Sequence, residues 1–208
     1  RAPDPSPLTR RAYGLPDDGA VFAAQMAAYK ILPPTFDAWL EILRRVEGSV
    51  LWLREQSTGM AARLREHTKS RGVDPSRIVF ARPEPIPRYL ARFRLADLFL
   101  DTVPFGAHTT VNDALFVGLP AITCAGHTFA ARASASQVRA AGLADLVVDD
   151  LDGYVRTAVS LARDRASLDA ITSGLRERRA SLPLFDLEGY ARSFEAAIER
   201  AWAETPAD

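Results

Sequence analysis

One segment of this chain combines a strand end, a turn and a helix start, which together suit anion binding. It is DTVPFGAHTTVND, residues 101–113, in which a buried strand ends, the chain turns at Gly106, and two threonines open a helix. The first N–H groups of a helix lack intrahelical acceptors, and the helix dipole is positive there. A diphosphate could therefore accept hydrogen bonds from these N–H groups and from the hydroxyls of Thr109 and Thr110.

Two further residues of this segment favour a nucleotide as the ligand. Asp113 lies four residues after Thr109, so both share one face of the predicted helix. A carboxylate one turn from a phosphate can accept hydrogen bonds from ribose hydroxyls. His108 adds an imidazole that could donate to phosphate. The alternative is that a threonine caps the helix, His108 belongs to the capping loop and Asp113 is a solvated surface residue. The segment alone leaves both interpretations open.

Two other loops follow predicted strands. Residues 124–132 place Gly126, His127 and Thr128 before a helix. Lys30 follows the first predicted strand, where its ammonium could neutralise the charge on a departing nucleoside diphosphate. An ordinary surface lysine is the alternative. Because ligands of open α/β sheets bind beyond the carboxyl ends of the strands, we expect these loops to flank one cleft with residues 101–113.

The composition argues against several classes of protein. Lys plus Arg and Asp plus Glu both number 26, so the formal charge is zero, which disfavours nucleic acid or a charged membrane as partner. No apolar run reaches the roughly 20 residues that span a bilayer, and no signal peptide opens the chain, so we expect a cytoplasmic protein. The sequence also lacks a zinc-ligand cluster, a Walker loop and a nucleophile elbow, and it predicts neither a metal nor a cofactor.

Short β-branched or aromatic runs alternate with amphipathic stretches. This pattern predicts an α/β fold with a Rossmann-like parallel sheet, flanking helices and a helical C-terminal tail. The predicted strands are residues 20–24, 49–53, 78–80, 97–100, 120–124 and 146–148. The predicted helices begin at Thr35, which is expected to cap the first of them, and continue with residues 60–69, 88–94, 108–117, 129–141, 153–163, 166–180 and 187–203.

The organisation of the chain follows from the same pattern. Residues 1–12 read as a Pro-rich linker, residues 13–150 as the α/β core and residues 151–208 as C-terminal helices, all within one nucleotide-binding domain that is a fragment of a longer protein. Four aromatic residues and the single cysteine are assigned to the core: Trp39, Trp52, Phe116, Trp202 and Cys124. A catalytic role for the cysteine is the less favoured alternative. Tyr89 is placed near the cleft, since its helix follows a proline-rich loop.

Residues 95–137, LADLFLDTVPFGAHTTVNDALFVGLPAITCAGHTFAARASASQ, closely resemble the C-terminal catalytic lobe of O-linked N-acetylglucosamine transferases of the SPINDLY-like, tetratricopeptide-bearing group. The likeness extends over nearly the whole chain. It includes YGLP at residues 13–16, YKI at 29–31, SVLWL at 49–53, RIVF at 77–80 and LF at 184–185.

The resemblance implies the second lobe of a GT-B glycosyltransferase, from a bacterial homologue with helical repeats upstream. In such an enzyme UDP-N-acetylglucosamine lies between two Rossmann-like lobes, and the sugar passes with inversion and without a metal to Ser or Thr of a protein acceptor. By the same resemblance Lys30 is the catalytic residue at the diphosphate, Asp113 binds the ribose, and the UDP-sugar site is lined by His108, Thr109, Thr110, Tyr89, His127 and Thr128.

Four positions depart from the family pattern. Ala27 stands where the family has Asn or Gln, although Gln25 is nearby. Ile86 and Tyr89 stand where animal members have Lys and His near the uracil, and Tyr89 could still stack on the base. His127 replaces an acid. These departures keep two alternatives open: a degenerate nucleotide-binding or interaction module of a tetratricopeptide protein, and the lobe of a GT-B protein N-glucosyltransferase. In either transferase reading the chain needs the missing N-terminal lobe.

Overall fold

A computed structural model describes residues 2–204. The strands are β1 Val21–Ala24, β2 Val50–Arg54, β3 Ile78–Ala81, β4 Leu98–Leu100, β5 Ala121–Cys124 and β6 Val147–Val148. The α-helices are α1 Pro33–Arg45, α2 Thr58–Ser70, α3 Ile86–Arg92, α4 Thr109–Phe116, α5 Phe129–Ala140, α6 Leu151–Arg163, α7 Arg165–Arg178 and α8 Leu187–Glu204. Every predicted strand and helix is thereby confirmed, with bounds shifted by two residues or fewer.

All neighbouring strands are parallel, and their order across the sheet is β3-β2-β1-β4-β5-β6. The chain builds the sheet outwards from β1 to β3 and then returns to the other side of β1 with β4. Strand order therefore reverses between β1 and β4. In open α/β sheets, the crevice at the carboxyl ends of the strands beside such a reversal is where ligands bind.

The sheet is covered on both faces, as a parallel sheet of apolar strands requires. All residues of β1, β4 and β5 are buried, and the apolar stripe of α1 packs onto this core through Phe36, Trp39, Leu40 and Leu43. α6 contributes Tyr154, which is fully buried, and lies beside α1. The burial of Trp39 and Trp52 confirms their assignment to the core, and the half-buried Phe116 packs against it.

Two predictions about the helices are wrong. α1 begins at Pro33 with Leu32 as its N-cap, so Thr35 does not cap it; its side chain turns instead to Val103. Trp202 is 83% exposed rather than buried, because α8 has no buried residue within its described length. The large apolar residues of α8 recur at three- or four-residue intervals and form an exposed stripe of Leu187, Tyr190, Phe194, Ile198 and Trp202.

The segment predicted as a linker contacts the residues just before β4 in the described structure. Arg10 donates to Asp97 at 2.7 Å and to the Leu95 carbonyl at 3.0 Å. Within residues 2–204, none of the helices combines the length and the apolarity that a membrane span requires.

Candidate functional site at the carboxyl ends of β1 and β4

The loops after β1, β4 and β5 meet at one edge of the sheet. Lys30, from the loop after β1, donates its Nζ to the Gly106 carbonyl in the loop after β4 at 2.6 Å. His108 Nε2 lies 3.1 Å from the carbonyl of Ala130, at the start of α5. A parallel sheet brings the carboxyl ends of adjacent strands together. The structure therefore joins three loops that the sequence predicts to flank one cleft.

Lys30 is buried rather than an ordinary surface lysine. It closes a single turn of 3-10 helix, Ala28–Lys30, and is only 8% exposed. Its Nζ lies 4.1 Å from the centre of the Phe105 ring, so the ammonium has a cation–π contact besides its hydrogen bond. Burial lowers the pKa of Lys30 below its ordinary value, and the negative charge of Asp101 opposes that fall.

The start of α4 has unusual backbone geometry. His108 is its N-cap, with φ of 50° and ψ of −106°, and it is the one non-glycine residue with positive φ among those described. The first turn has no side-chain cap. The alternative in which Thr109 or Thr110 caps α4 is therefore wrong. Strained backbone of this kind persists only where the surroundings hold it.

The surroundings of His108 account for its position. Its ring stacks on Phe105, with centroids 5.2 Å apart and planes 12° apart. Since a carbonyl oxygen only accepts, Nε2 must carry the proton in its contact with Ala130. In the neutral ring Nδ1 then carries no proton, so it can accept a hydrogen bond but cannot donate one to a phosphate.

Tyr89 of α3 forms a second group with Thr110 and Asp113 of α4. The Tyr89 hydroxyl interacts with the side chains of both other residues. Burial raises the pKa of Tyr89 above its ordinary value, and the negative charge of Asp113 raises it further. Asp113 is half-buried rather than a freely solvated surface residue. The aromatic ring and the carboxylate proposed from the sequence for base and ribose thus lie side by side.

His127 and Thr128 are placed differently. Thr128 is the N-cap of α5, and its Oγ1 accepts from the N–H of Ala131 at 3.2 Å. His127 is exposed and lines a depression of about 520 Å³ with Phe129 and Arg132. The contacts of the described residues do not bring His127 to Lys30 or to the start of α4.

Two buried residues near the cleft escaped the sequence analysis. Asp101, fully buried, accepts from the Ala107 N–H and the Thr123 hydroxyl, both at 2.7 Å. Arg92 donates to Gln25 Oε1 at 2.5 Å and to Glu84 at 3.1 Å. Gln25 is thus engaged with Arg92 and not with the phosphate region. The position of Asp101 directly after a buried strand was the available signal.

Within residues 2–204, no three His, Cys, Asp or Glu side chains are grouped as metal ligands. Cys124 is buried in the core, where its sulfur donates to the Asp150 carbonyl at 3.3 Å. Burial and nearby carboxylates raise the pKa of its thiol to about 12. The alternative of a catalytic cysteine therefore loses its chemical basis, since the thiolate is the reactive form.

Comparison with known proteins gives a consistent picture. Residues 4–194 match the family described as Glycosyl transferase family 41. A Caenorhabditis elegans UDP-N-acetylglucosamine--peptide N-acetylglucosaminyltransferase is 37% identical over 196 residues, which is 94% of this chain and 17% of that protein. An Arabidopsis thaliana protein, "Probable UDP-N-acetylglucosamine--peptide N-acetylglucosaminyltransferase SEC", is 35% identical over 201 residues, 96% of this chain and 21% of its own length.

Solved structures agree with the sequence relatives. A mutant of the Thermobaculum terrenum O-GlcNAc transferase superposes with a TM-score of 0.84 and 31% identity, over 88% of this chain and 36% of that chain. WaaG, a glycosyltransferase involved in lipopolysaccharide biosynthesis, gives a TM-score of 0.65 at 14% identity, over 84% of this chain and 47% of its own, a likeness of fold alone. The chain thus spans about a fifth of the two curated relatives and about a third of the first structure.

Proposed function

Because this chain belongs to Glycosyl transferase family 41, we propose that it is the UDP-sugar-binding lobe of a protein O-GlcNAc transferase-like enzyme. Its parallel sheet and flanking helices have the fold of a GT-B glycosyltransferase lobe. The observation that supports the proposal most is the junction of Lys30 with the loop that leads into α4, at the reversal of strand order.

In the proposed site, the diphosphate and the nucleoside of the donor contact different groups of residues. The diphosphate lies at the start of α4, where the helix dipole and the hydroxyls of Thr109 and Thr110 favour an anion. Lys30 stabilises the negative charge that develops on UDP as the bond to the sugar breaks, which is the catalytic contribution we assign to it. A ligand phosphate must compete with the Gly106 carbonyl for the Lys30 ammonium, since the two are in contact in the free protein.

The nucleoside contacts the second group of residues, through Asp113 and Tyr89. Asp113 accepts from ribose hydroxyls, and the ring of Tyr89 lies against the base. His108 lies on the phosphate side, where α4 begins. His127 and Thr128 lie at the next loop, and we assign them to the sugar and acceptor side of the cleft, Thr128 through the backbone at the start of α5.

The complete reaction requires more protein than this chain. We propose that a second, N-terminal lobe and upstream helical repeats supply the acceptor site and any general base, in keeping with the small share of each relative that this chain covers. The transfer to Ser or Thr without a metal, the division into residues 1–12, 13–150 and 151–208, the bacterial origin and the cytoplasmic location remain predictions.

Calorimetric titration of UDP and UDP-N-acetylglucosamine into the chain, with EDTA present, tests the proposal. We expect binding that the double variant Lys30→Ala, Thr109→Ala loses and that Lys69→Ala keeps, because Lys69 is exposed on α2. If the folded chain binds neither ligand, alone or within the full-length protein, the nucleotide-sugar function is contradicted and the degenerate-module alternative is favoured. Selective binding of another nucleoside diphosphate sugar would leave the lobe intact but correct the donor.

A further inference from the structure

One peptide group in the loop between β4 and α4 is held from both ends by opposite charges. Its carbonyl, that of Gly106, accepts from Lys30 Nζ at 2.6 Å. Its N–H, that of Ala107, donates to Asp101 Oδ1 at 2.7 Å. The six atoms of a peptide unit lie in one plane, so the ammonium, the peptide and the carboxylate form one hydrogen-bonded chain. Each bond in such a chain polarises and strengthens the next.

The carboxylate is built into the core. Asp101 is 0% exposed, and its second oxygen accepts from the Thr123 hydroxyl at 2.7 Å. A buried carboxylate is costly unless hydrogen bonds and an opposite charge compensate for the loss of water. Among residues 2–204, the titratable groups that interact with it are the Lys30 ammonium and the neutral side chains of Cys124 and Tyr154. Lys30 is therefore its compensating charge.

The same two hydrogen bonds to the Gly106–Ala107 peptide group also fix the start of α4. Ala107, whose N–H Asp101 holds, directly precedes His108, the N-cap with positive φ. The main chain of Asp101 is anchored in turn, since its carbonyl accepts from the Tyr154 hydroxyl of α6 at 2.9 Å. Little space is left for the loop to shift, because a Cβ added at Gly106 would lie 2.4 Å from Ser134 Oγ.

We propose that Asp101 is a positioning residue for donor binding: through the Gly106–Ala107 peptide group it holds Lys30 and the first turn of α4 in the arrangement that receives the diphosphate. This inference rests on the proposed function of Lys30 and α4. Asp101 itself does not touch the donor, because its carboxylate is closed off by Ala107 and Thr123.

The first test needs no ligand. Lys30 and Lys69 are the two lysines of the chain, so lysine labelled with ¹³C at Cε gives two resonances, of which exposed Lys69 is the internal reference. In Asp101→Asn the compensating charge is gone while burial persists, so we expect the pKa of Lys30 to fall below that in the parent protein. A purely structural role predicts the opposite, since a loosened loop would expose Lys30 and raise its pKa towards the ordinary value. A rise, or no change, overturns the proposal.

Asp97 provides a matched control. It is the buried aspartate before β4, as Asp101 is the one after it, and it pairs with Arg10 and Arg165 at the opposite end of the strand. Asp97→Asn should leave the pKa of Lys30 unchanged. UDP titration completes the comparison: Asp101→Asn should bind UDP about tenfold more weakly, as expected for loss of a charge-assisted hydrogen bond, while Asp97→Asn should bind normally.

The two experiments separate the two proposals. If the parent protein does not bind UDP, the proposed function fails, and the pKa measurement still reports whether Asp101 and Lys30 are coupled. If the parent binds and Asp101→Asn binds equally well, the positioning role alone is overturned.

A second variant serves if Asp101→Asn does not fold. Lys30→Met removes the ammonium that donates to the Gly106 carbonyl. We expect the amide proton of Ala107 to move upfield, because its hydrogen bond to Asp101 loses polarisation. Lys69→Met should leave this resonance in place. An unchanged Ala107 resonance in Lys30→Met would contradict coupling through the peptide group.

Discussion

The Thr35 hydroxyl donates to the carbonyl of Val103 at 2.7 Å and accepts from the N–H of the same residue at 3.3 Å. One buried side chain of α1 thus satisfies both backbone groups of a residue in the loop after β4. That loop carries Gly106 and leads to His108, so α1 supports the candidate site from outside it.

Replacing Thr35 with valine keeps the volume of the side chain and removes both hydrogen bonds. We expect the free energy of unfolding to fall by about 1–3 kcal/mol, because the polar groups of Val103 lose their partner in a partly buried position. Urea unfolding measures the change. Thr58→Val, at the exposed start of α2, is the control and should change stability by less than about 0.5 kcal/mol. Equal effects of the two substitutions would show that the Thr35 contact contributes nothing specific.

Gly106 and Gly59 offer a second matched pair. A Cβ on Gly106 would lie 2.4 Å from Ser134 Oγ and 3.2 Å from Asp101 Oδ2, whereas one on Gly59, in α2, would meet nothing within 4 Å. Gly106→Ala should destabilise the protein by about 1–3 kcal/mol through overpacking. Gly59→Ala should stabilise it by about 0.5–1 kcal/mol, since Ala is the better helix former. Thermal unfolding measures whether each substitution lowers or raises the stability. Unchanged stability in Gly106→Ala would mean that the loop relaxes freely.

The buried thiol predicts a pH dependence. Burial, then the negative charges of Asp101, Asp150 and Asp149, raises the pKa of Cys124 to about 12. The folded state then holds this proton more tightly than the unfolded state, whose thiol has a pKa of about 8.5. The contribution of Cys124 to stability is therefore complete below about pH 8.5 and is lost as the pH rises towards 12.

Urea unfolding at pH 8 and pH 10 checks this expectation. Cys124→Ala should lose less stability between the two pH values than the parent protein does. A thiol reagent at pH 8 should modify Cys124 only after unfolding. Rapid modification of the folded protein would show that the thiol is accessible and ionised.

The hydroxyl of Tyr89 is predicted to matter for binding more than for folding. Its ring packs edge-on against Phe93, with centroids 5.0 Å apart, and Tyr89→Phe keeps that contact. The substitution removes the interaction with Thr110 and Asp113, so we expect UDP to bind up to about tenfold more weakly while stability changes by about 1 kcal/mol or less. Tyr190→Phe, on exposed α8, is the control. Unchanged UDP affinity in Tyr89→Phe would show that the hydroxyl of Tyr89 contributes nothing to binding.

Sequence reasoning recovered the elements because hydrophobic periodicity is a local signal. The alternation around β1, β2 and α1, for example, places their bounds within two residues of the observed ones. The same reasoning placed Lys30 and the start of α4 at one edge of the sheet, since the carboxyl ends of parallel strands meet there.

What sequence reasoning missed depends on contacts between distant segments. The roles of Thr35 and Gln25 are set by partners 68 and 67 residues away, Val103 and Arg92. Asp101 gives the local pattern of any polar residue after a strand, and only the folded loop shows that it faces the Ala107 N–H. Trp202 was assigned to the core from its helical pattern, but an amphipathic pattern does not say whether anything covers the apolar face.

The central claim is that a nucleoside diphosphate binds at the start of α4 beside Lys30. A titration of ¹⁵N-labelled protein with UDP, followed by amide NMR spectra, locates the ligand directly. We expect the largest shifts on the amides of Ala107, Thr109 and Thr110, with smaller ones at Lys30 and Tyr89. Amides near Asp97, at the opposite end of β4, should stay in place. Shifts confined to other regions, or no shift at saturating UDP, would contradict the account.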